Sequence, residues 1–173
     1  TQLNHRAIYD VVQGARIGQD YLVSLSKLLD KQAEWVTPLY SFPIKQTSLK
    51  TKEKRVQTVV GTLNLRIEVP KLDTRKQSQS IAPNFIHSLD SEILKYCIDK
   101  MDTGIGVIHD CFLVHPNQVE EIRNHYKEEY ITLMESKPLE KISRELDPSR
   151  EVEVPCVGTL DLDEVRDSMY IIS

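Results

Sequence analysis

Four stretches of the chain repeat apolar residues every three or four positions, the spacing that puts them on one face of an α-helix. The first runs from Ile8 to Leu29, and the second from residue 80 to residue 101. A third starts at Pro116-Asn117 and ends before Pro138, and the last covers Leu160 to Met169. We therefore predict four helices, with an irregular segment or a short helix between residues 138 and 158.

A strict alternation of apolar and polar residues occurs once, just before the second helix. Leu63, Leu65, Ile67 and Val69 alternate with polar residues, which predicts a strand with one apolar face. Residues 55–60 precede it as a second strand, and Gly61-Thr62 is the turn that the sequence suggests between them. A hairpin with a polar outer face suits a nucleic-acid groove, but an ordinary surface hairpin would show the same pattern.

The stretch GVIHDCFLVH, residues 106–115, contains a second and shorter hairpin pattern. Gly106 to Ile108 and Cys111 to Val114 are short apolar strands, so His109 and Asp110 fall at the tip between them. An ionised aspartate against buried strands is costly unless a hydrogen-bond donor or a bound cation neutralises it. The alternative is a turn aspartate that satisfies its own backbone, which is the commoner situation for this residue type.

Helices combined with hairpins, without repeated β-α-β units, predict an α+β fold. The 173 residues, 40% of them hydrophobic, are enough for one core, and no run is long and apolar enough to span a membrane. Three widely spaced cysteines form no zinc-ligand pattern, and we expect them to be reduced thiols of an intracellular protein. Neither a P-loop nor a dinucleotide-binding fingerprint is present.

Charge is distributed unevenly, although the net charge is only −4. Residues 43–79 hold nine basic and three acidic side chains, so this segment carries +6. Residues 1–42 are balanced, and residues 80–173 carry −10. Such a local basic patch can hold a polyanion, and the alternative is a solvated lysine-rich loop. The third predicted helix has a charged face, Glu120, Glu121, Lys127, Glu128 and Glu129, which we expect to be solvated.

The second predicted helix has an apolar stripe formed by Ile86, Leu89, Ile93, Leu94, Cys97, Ile98 and Met101. Pro83 suits its first turn. Asn84, His87 and Ser88 lie off the stripe, so His87 is predicted near the helix start, where a ligand could meet it. A single histidine of this kind is more often structural or solvated than functional.

The order of these elements and two motifs together resemble the C-terminal palm and fingers part of the phage-type single-subunit DNA-dependent RNA polymerases, a family that includes the mitochondrial enzymes. The first motif is APNFIHSLD, residues 82–90, and the second is IHDCF, residues 108–112. Further support comes from WVTP at residues 35–38, Phe42-Pro43 and the C-terminal GTLDLDEV. The resemblance covers nearly the whole chain.

The resemblance implies a right-hand polymerase in which the HisAsp hairpin lies in the palm. Asp110 matches one of two carboxylates that bind the catalytic Mg²⁺ ions, while His109 supports the turn. His87, together with Asn84, matches a helix that faces the newly formed base pair. Residues 44–79 match the promoter-specificity hairpin, with Lys54, Arg55, Gln57, Asn64 and Arg66 as its nucleic-acid contacts. Residues 80–115 then form the motif helix and palm hairpin, and residues 116–173 the C-terminal helices and tail.

Two departures from the family pattern stand out. Cys111 occupies a position where the family commonly has serine. The second metal-binding aspartate, the NTP-binding lysine and arginine and the ribose-selecting tyrosine lie upstream of this region in the family, and none of those motifs is found in this chain. We therefore expect it to act with an upstream polypeptide or a partner subunit, and the first residue, Thr1, agrees with a piece of a longer protein.

The sequence thus predicts a DNA-directed RNA polymerase that uses two metal ions and binds a DNA template and promoter, nascent RNA and NTPs. We expect it in the cytoplasm of a phage-infected bacterium, with the mitochondrial matrix as the alternative. One alternative hypothesis is a family A DNA polymerase. That family usually has glutamate directly after the HisAsp pair, where this chain has Cys111. The other is a non-catalytic nucleic-acid-binding module.

Overall fold

A computed structural model describes residues 12–102, 104–149, 151–156 and 158–171. Its helices are α1 (Gln13–Leu28), α2 (Thr74–Lys100), α3 (Val119–Glu135), α4 (Pro138–Leu146) and α5 (Leu162–Asp167), with a single 3-10 turn at Pro116–Gln118. The strands form three antiparallel pairs: β1 (Glu34–Val36) with β2 (Pro43–Lys45), β3 (Leu49–Thr58) with β4 (Gly61–Leu72), and β5 (Gly106–Ile108) with β6 (Cys111–Leu113). The predicted α+β class is confirmed.

The core lies between α2 and the helices on either side of it. Leu22 and Leu25 of α1 are buried with Ile81 and Phe85 of α2, and the far end of α2 packs on α3. Burying a large aliphatic or aromatic side chain contributes roughly 1.5–3 kcal/mol, so these contacts fix α2 as the central helix of the fold. In the described part of the chain no helix is long and apolar enough to cross a membrane.

Helix α1 agrees with the predicted periodicity over the residues that can be compared. It ends at Leu28, one residue from the predicted end, while the predicted start at Ile8 lies outside the described residues. The helices predicted after residue 115 are also present, although the last is shorter than predicted and runs only from Leu162 to Asp167.

Helix α2 begins earlier than predicted. Asp73 caps it by accepting a hydrogen bond from the Lys76 backbone N–H at 3.0 Å, so the helix starts at Thr74 and Pro83 lies in its interior. The prediction that Pro83 occupies the first turn was therefore wrong. Residues 74–80 carry almost no apolar side chains, so the periodicity that revealed the rest of the helix is absent there.

The buried face of α2 also differs in part from the predicted stripe. Leu89, Ile93, Cys97 and Met101 are buried as predicted, but Ile86 and Ile98 are exposed. Ser88, predicted to lie off the stripe, is buried and accepts a hydrogen bond from the Trp35 indole N–H at 3.3 Å. Phe85 takes the inward position next to it.

The β3–β4 hairpin, called the ribbon below, is longer than predicted and turns at a different place. Its pairing runs from Leu49 opposite Leu72 to Thr58 opposite Gly61, so Val59 and Val60 form the turn and not Gly61-Thr62. Gly61 has φ of 139°, a backbone conformation that favours glycine, and it starts β4.

A buried network of amides anchors the base of the ribbon to α2. Gln46 donates from Nε2 to the Gln77 carbonyl oxygen at 2.9 Å and to Ser80 Oγ at 2.6 Å. Gln77 accepts the Ala33 N–H at Oε1 over 3.1 Å. Because buried polar groups must be paired, this network fixes the point where the ribbon leaves the body of the protein.

Two carboxylates are buried around the loop between β1 and β2. Glu92, with 0% of its surface exposed, accepts the backbone N–H groups of Leu39 and Tyr40 at 2.9 and 2.7 Å. Glu129, only 4% exposed, accepts a hydrogen bond from the Tyr40 hydroxyl. The prediction that the charged face of the third helix is solvated was wrong for Glu129 and for Lys127, which is also buried.

Candidate functional site

The HisAsp hairpin forms as predicted, except that β6 ends at Leu113, one residue early. Val107 pairs with Phe112 and Ile108 with Cys111, which leaves His109 and Asp110 as the turn. His109 has φ of 58°, in the left-handed region that costs a residue with a Cβ about 1–2 kcal/mol. This turn holds Asp110 at the exposed tip of a short hairpin.

The Asp110 carboxylate is open to solvent and weakly engaged. Its Oδ1 lies 3.7 Å from the Cys111 sulfur, whose S–H is a weak donor. The turn-aspartate alternative requires the carboxylate to satisfy backbone N–H groups, but its hydrogen bond in the described structure is this one with Cys111. Oxygens of Asp110 therefore remain accessible to a ligand that approaches the tip.

Helix α2 carries a second carboxylate, Asp90, that senses the charge of Asp110. Partial burial raises the pKa of Asp90, the nearby His87 opposes that rise, and the Asp110 carboxylate adds to it. Asp90 belongs to the APNFIHSLD motif, but sequence reasoning gave it no role. No sequence signal predicted that Asp90 senses the charge of Asp110, because the distance between them depends on the tertiary structure.

An aromatic pair supports the hairpin from behind. The Phe112 ring meets the Tyr126 ring of α3 edge to face, with 6.3 Å between their centroids and 84° between their planes. Burial raises the pKa of Tyr126, and the carboxylates of Asp90 and Asp110 add to the rise. Tyr126 lies close enough to Asp110 to sense its charge.

The described residues do not by themselves form a complete metal site. Within the described residues, no group of three or more histidine, cysteine, aspartate or glutamate side chains is placed to hold a metal ion. Mg²⁺ is commonly bound by one or two carboxylates together with water and substrate phosphates. Asp110, exposed and with one weak hydrogen bond, has the chemistry of such a carboxylate.

His87 and Asn84 share a polar depression with residues of the basic segment. Both line it from α2, as does Lys76 two to three turns earlier, and the opposite side of the depression is formed by Lys45 and Gln46. His87 is exposed and Asn84 is half-buried. Two lysines beside an exposed histidine and an amide make a surface suited to phosphate and sugar groups.

The ribbon separates the predicted nucleic-acid contacts into two groups, because directly paired residues lie on the same face. Arg55 pairs with Asn64, Gln57 with Thr62, and Arg66 with Glu53, so four of the five predicted residues share one face. Lys54 pairs with Leu65 and lies on the opposite face. The Arg66–Glu53 ion pair, 3.8 Å long and exposed on both sides, is of the type that contributes little to stability.

Sequence comparisons agree with this architecture. Residues 1–152 match the sequence profile of a family described as DNA-dependent RNA polymerase. The human mitochondrial DNA-directed RNA polymerase is 30% identical over 195 aligned residues, which cover 97% of this chain and 16% of that protein. The DNA-directed RNA polymerase of Pseudomonas phage phiKMV is 32% identical over 171 residues, covering 94% of this chain and 21% of that protein.

A plant relative gives the same result. DNA-directed RNA polymerase 3, chloroplastic, of Nicotiana sylvestris is 28% identical over 96% of this chain and 18% of that protein. The chain thus spans about a fifth of the length of the curated relatives it matches, between 16% and 21% for these three.

Proposed function

Because the chain belongs to the family of DNA-dependent RNA polymerases, we propose that it supplies one metal-binding carboxylate, Asp110, to a template-directed RNA polymerase. The observation that carries this proposal is the position of Asp110, exposed and weakly bonded at the tip of a short hairpin within the family match. The resemblance assigns the same residue to the metal site.

In this reaction the role of the hairpin would be to hold the Asp110 carboxylate in a fixed position. When bound, two Mg²⁺ ions stabilise the attacking 3′ oxygen and the leaving pyrophosphate of an in-line displacement. Asp110 would hold an ion by its exposed oxygens, and His109 would fix the turn through its backbone conformation. Support from Phe112 and Tyr126 limits movement of the hairpin, and a displacement of even 1 Å is costly to such a reaction.

The remaining surfaces suit template, transcript and nucleotides. His87 and Asn84 would face the new base pair from the polar depression, where Lys45 and Lys76 can neutralise phosphates. The ribbon face that carries Arg55, Gln57, Asn64 and Arg66 would contact promoter DNA, in the manner of side chains that read base edges.

A second polypeptide segment is needed for activity. The described residues offer no complete metal-ligand group, and the chain corresponds to about a fifth of its relatives. We therefore propose that the other catalytic aspartate and the NTP-binding residues come from an upstream part of the same protein or from a partner subunit. Relatives named for phage, mitochondria and chloroplasts fit a phage protein in bacterial cytoplasm, with the mitochondrial matrix as the alternative.

The test is primer extension by the polymerase complex purified from its native source and, in parallel, by this chain alone. An RNA primer on a DNA template is supplied with Mg²⁺ and either NTPs or dNTPs. Asp110→Asn should slow extension by the complex about a thousandfold, because a metal centre contributes several kcal/mol to the transition state. The matched control is Asp30→Asn, which changes an exposed aspartate just after α1.

Each result separates the candidate functions. Extension with NTPs that requires Asp110, and that the isolated chain lacks, supports a polymerase completed by another segment. Extension with dNTPs in preference to NTPs would favour a DNA polymerase. If the Asp110→Asn complex extends as fast as the wild type, the metal role is wrong and the chain is a binding module.

A further inference from the structure

The two faces of the ribbon differ in chemistry. Cross-strand pairing puts Lys52 with Ile67, Lys54 with Leu65 and Val56 with Leu63. We call these six residues the aliphatic face. The opposite face is polar from the Thr51–Glu68 pair through Glu53–Arg66 and Arg55–Asn64 to Gln57–Thr62.

Neither face is covered in the described structure, where β3 and β4 pack chiefly on each other. Leu63, Leu65 and Ile67 are 54, 46 and 44% exposed, and the turn residues Val59 and Val60 are almost fully exposed. A two-stranded ribbon alone in water is only marginally stable, and contiguous exposed apolar side chains mark interaction surfaces. The ribbon therefore has a large apolar surface with no intramolecular partner among the described residues.

The side-chain types on the aliphatic face indicate the class of partner. Proteins that bind single-stranded nucleic acid stack bases on aromatic rings, and this face has none. A duplex backbone would meet the two lysines but would leave Leu65 and Ile67 against phosphates. A protein surface that is apolar at its centre buries the aliphatic side chains, and acidic residues at its edge pair with Lys52 and Lys54.

We propose that the aliphatic face docks on the polypeptide that completes the polymerase, leaving the polar face free for DNA. This inference rests on the proposed function. The relatives are about five to six times as long as the matched segment, so most of such a polymerase lies outside this chain and is available to cover the ribbon. Docking on one face would also hold the ribbon rigid for contact on the other.

The test uses the assembled polymerase on a promoter template, with the photocrosslinking residue p-benzoylphenylalanine at one position at a time. Leu65 and Asn64 are adjacent in β4 and lie on opposite faces, so each is the control for the other. We expect the probe at Leu65 to crosslink to the completing polypeptide, at a segment that contains aspartate or glutamate. The probe at Asn64 should crosslink to DNA.

A charge-reversal pair extends the test. Lys52→Glu combined with Lys54→Glu should reduce the Leu65 protein crosslink about tenfold, while the Asn64 crosslink to DNA persists and shows that the ribbon still folds. A Leu65 probe that crosslinks to DNA as strongly as the Asn64 probe overturns the proposal, and so does one that captures no protein.

Extension assays on the same preparations keep the two proposals apart. Extension that depends on Asp110, combined with failed protein crosslinks, refutes the docking surface alone. Extension that does not depend on Asp110 refutes the proposed function.

Discussion

Tyr40 is held from two sides by buried carboxylates, and this arrangement gives the protein a residue-scale response to pH. Glu92 accepts its backbone N–H, and Glu129 accepts its hydroxyl. Burial is the main cause that raises the pKa of Glu129, the hydrogen bond from Tyr40 opposes the rise, and Glu92 adds to it. The positive charges of Lys100 and Lys95 lower the pKa of Glu129.

The raised pKa fixes the sign of a stability prediction. A native state that binds a proton more tightly than the unfolded chain loses stability as pH rises from the ordinary glutamate pKa, about 4.3, through the raised native value. Glu129→Gln has no such loss and keeps an acceptor for Tyr40. We therefore expect Glu129→Gln to be more stable relative to wild type at pH 8 than at pH 4: the free energy of unfolding of the variant minus that of the wild type should increase between the two pH values.

Urea unfolding at both pH values measures this difference. Glu128→Gln, on the same helix but exposed, is the control and should show a much smaller change between the two pH values. If Glu129→Gln and wild type follow parallel pH profiles, the buried carboxyl has the same proton affinity in both states and the assignment fails.

The position of a single residue could be predicted from the sequence only where neighbouring residues in the chain determine it. Asp110 could be placed at a tip because two short apolar runs bracket it in the sequence. Glu92 and Glu129 could not be predicted as buried, since their burial depends on the β1–β2 loop, which lies about 50 and 90 residues away from them in the sequence. The nearness of Asp90 to Asp110 likewise depends on tertiary packing.

At the scale of elements, the junction between the ribbon and α2 is the feature that sets where the nucleic-acid residues lie. The Asp73 N–H donates to the Ser48 carbonyl at 2.7 Å, which closes the base of the ribbon. The Asp73 side chain then caps α2 through the Lys76 N–H. One residue therefore ends β4 and starts the helix that carries His87.

Removing that cap gives an element-scale prediction. Asp73→Ala should lower the free energy of unfolding by about 1 kcal/mol, because an N–H of the first turn loses its side-chain acceptor. Asp73→Asn keeps an acceptor and should retain most of that stability. Chemical denaturation of the two variants and the wild type measures the difference, and equal losses for Ala and Asn would show that charge, and not capping, is responsible.

The two predicted hairpins, β3–β4 and β5–β6, could be recognised from alternating or short apolar runs in the sequence. The residues at which their strands begin and end could not. The Gly61-Thr62 turn was predicted because glycine commonly occupies hairpin turns, but the register places Val59 and Val60 there. The start of α2 was missed because residues 74–80 are helical without an apolar face, which only the cap at Asp73 marks. The turn position depends on the register between the strands, and the helix start depends on the Asp73 cap. The spacing of apolar side chains indicates neither.

At the scale of the whole molecule, charge is concentrated where the fold projects outward. The segment from residue 43 to residue 79, with a charge of +6, contains β2 and both strands of the ribbon, while the chain as a whole carries −4. An acidic body with a basic projection repels DNA except along the ribbon and the adjoining depression. Sequence alone located this patch, and the structure adds that its cationic side chains divide between two faces.

That division predicts which cations control binding to DNA. Each phosphate neutralised by a lysine or arginine contributes about 0.9 to the slope of log affinity against log salt concentration. Arg55→Ala combined with Arg66→Ala removes two cations from the polar face, so the slope for promoter binding by the assembled polymerase should become shallower by about 2. The weak Arg66–Glu53 ion pair does not prevent Arg66 from contacting a phosphate.

The matched variant replaces the two cations of the aliphatic face. Lys52→Ala combined with Lys54→Ala removes the same charge from the same ribbon, so a purely long-range field would reduce the slope equally. If the aliphatic face contacts protein, this pair should leave the slope nearly unchanged and weaken assembly of the polymerase instead. Fluorescence anisotropy of a labelled promoter duplex at several salt concentrations measures both slopes, and equal reductions would mean that DNA meets both faces of the ribbon.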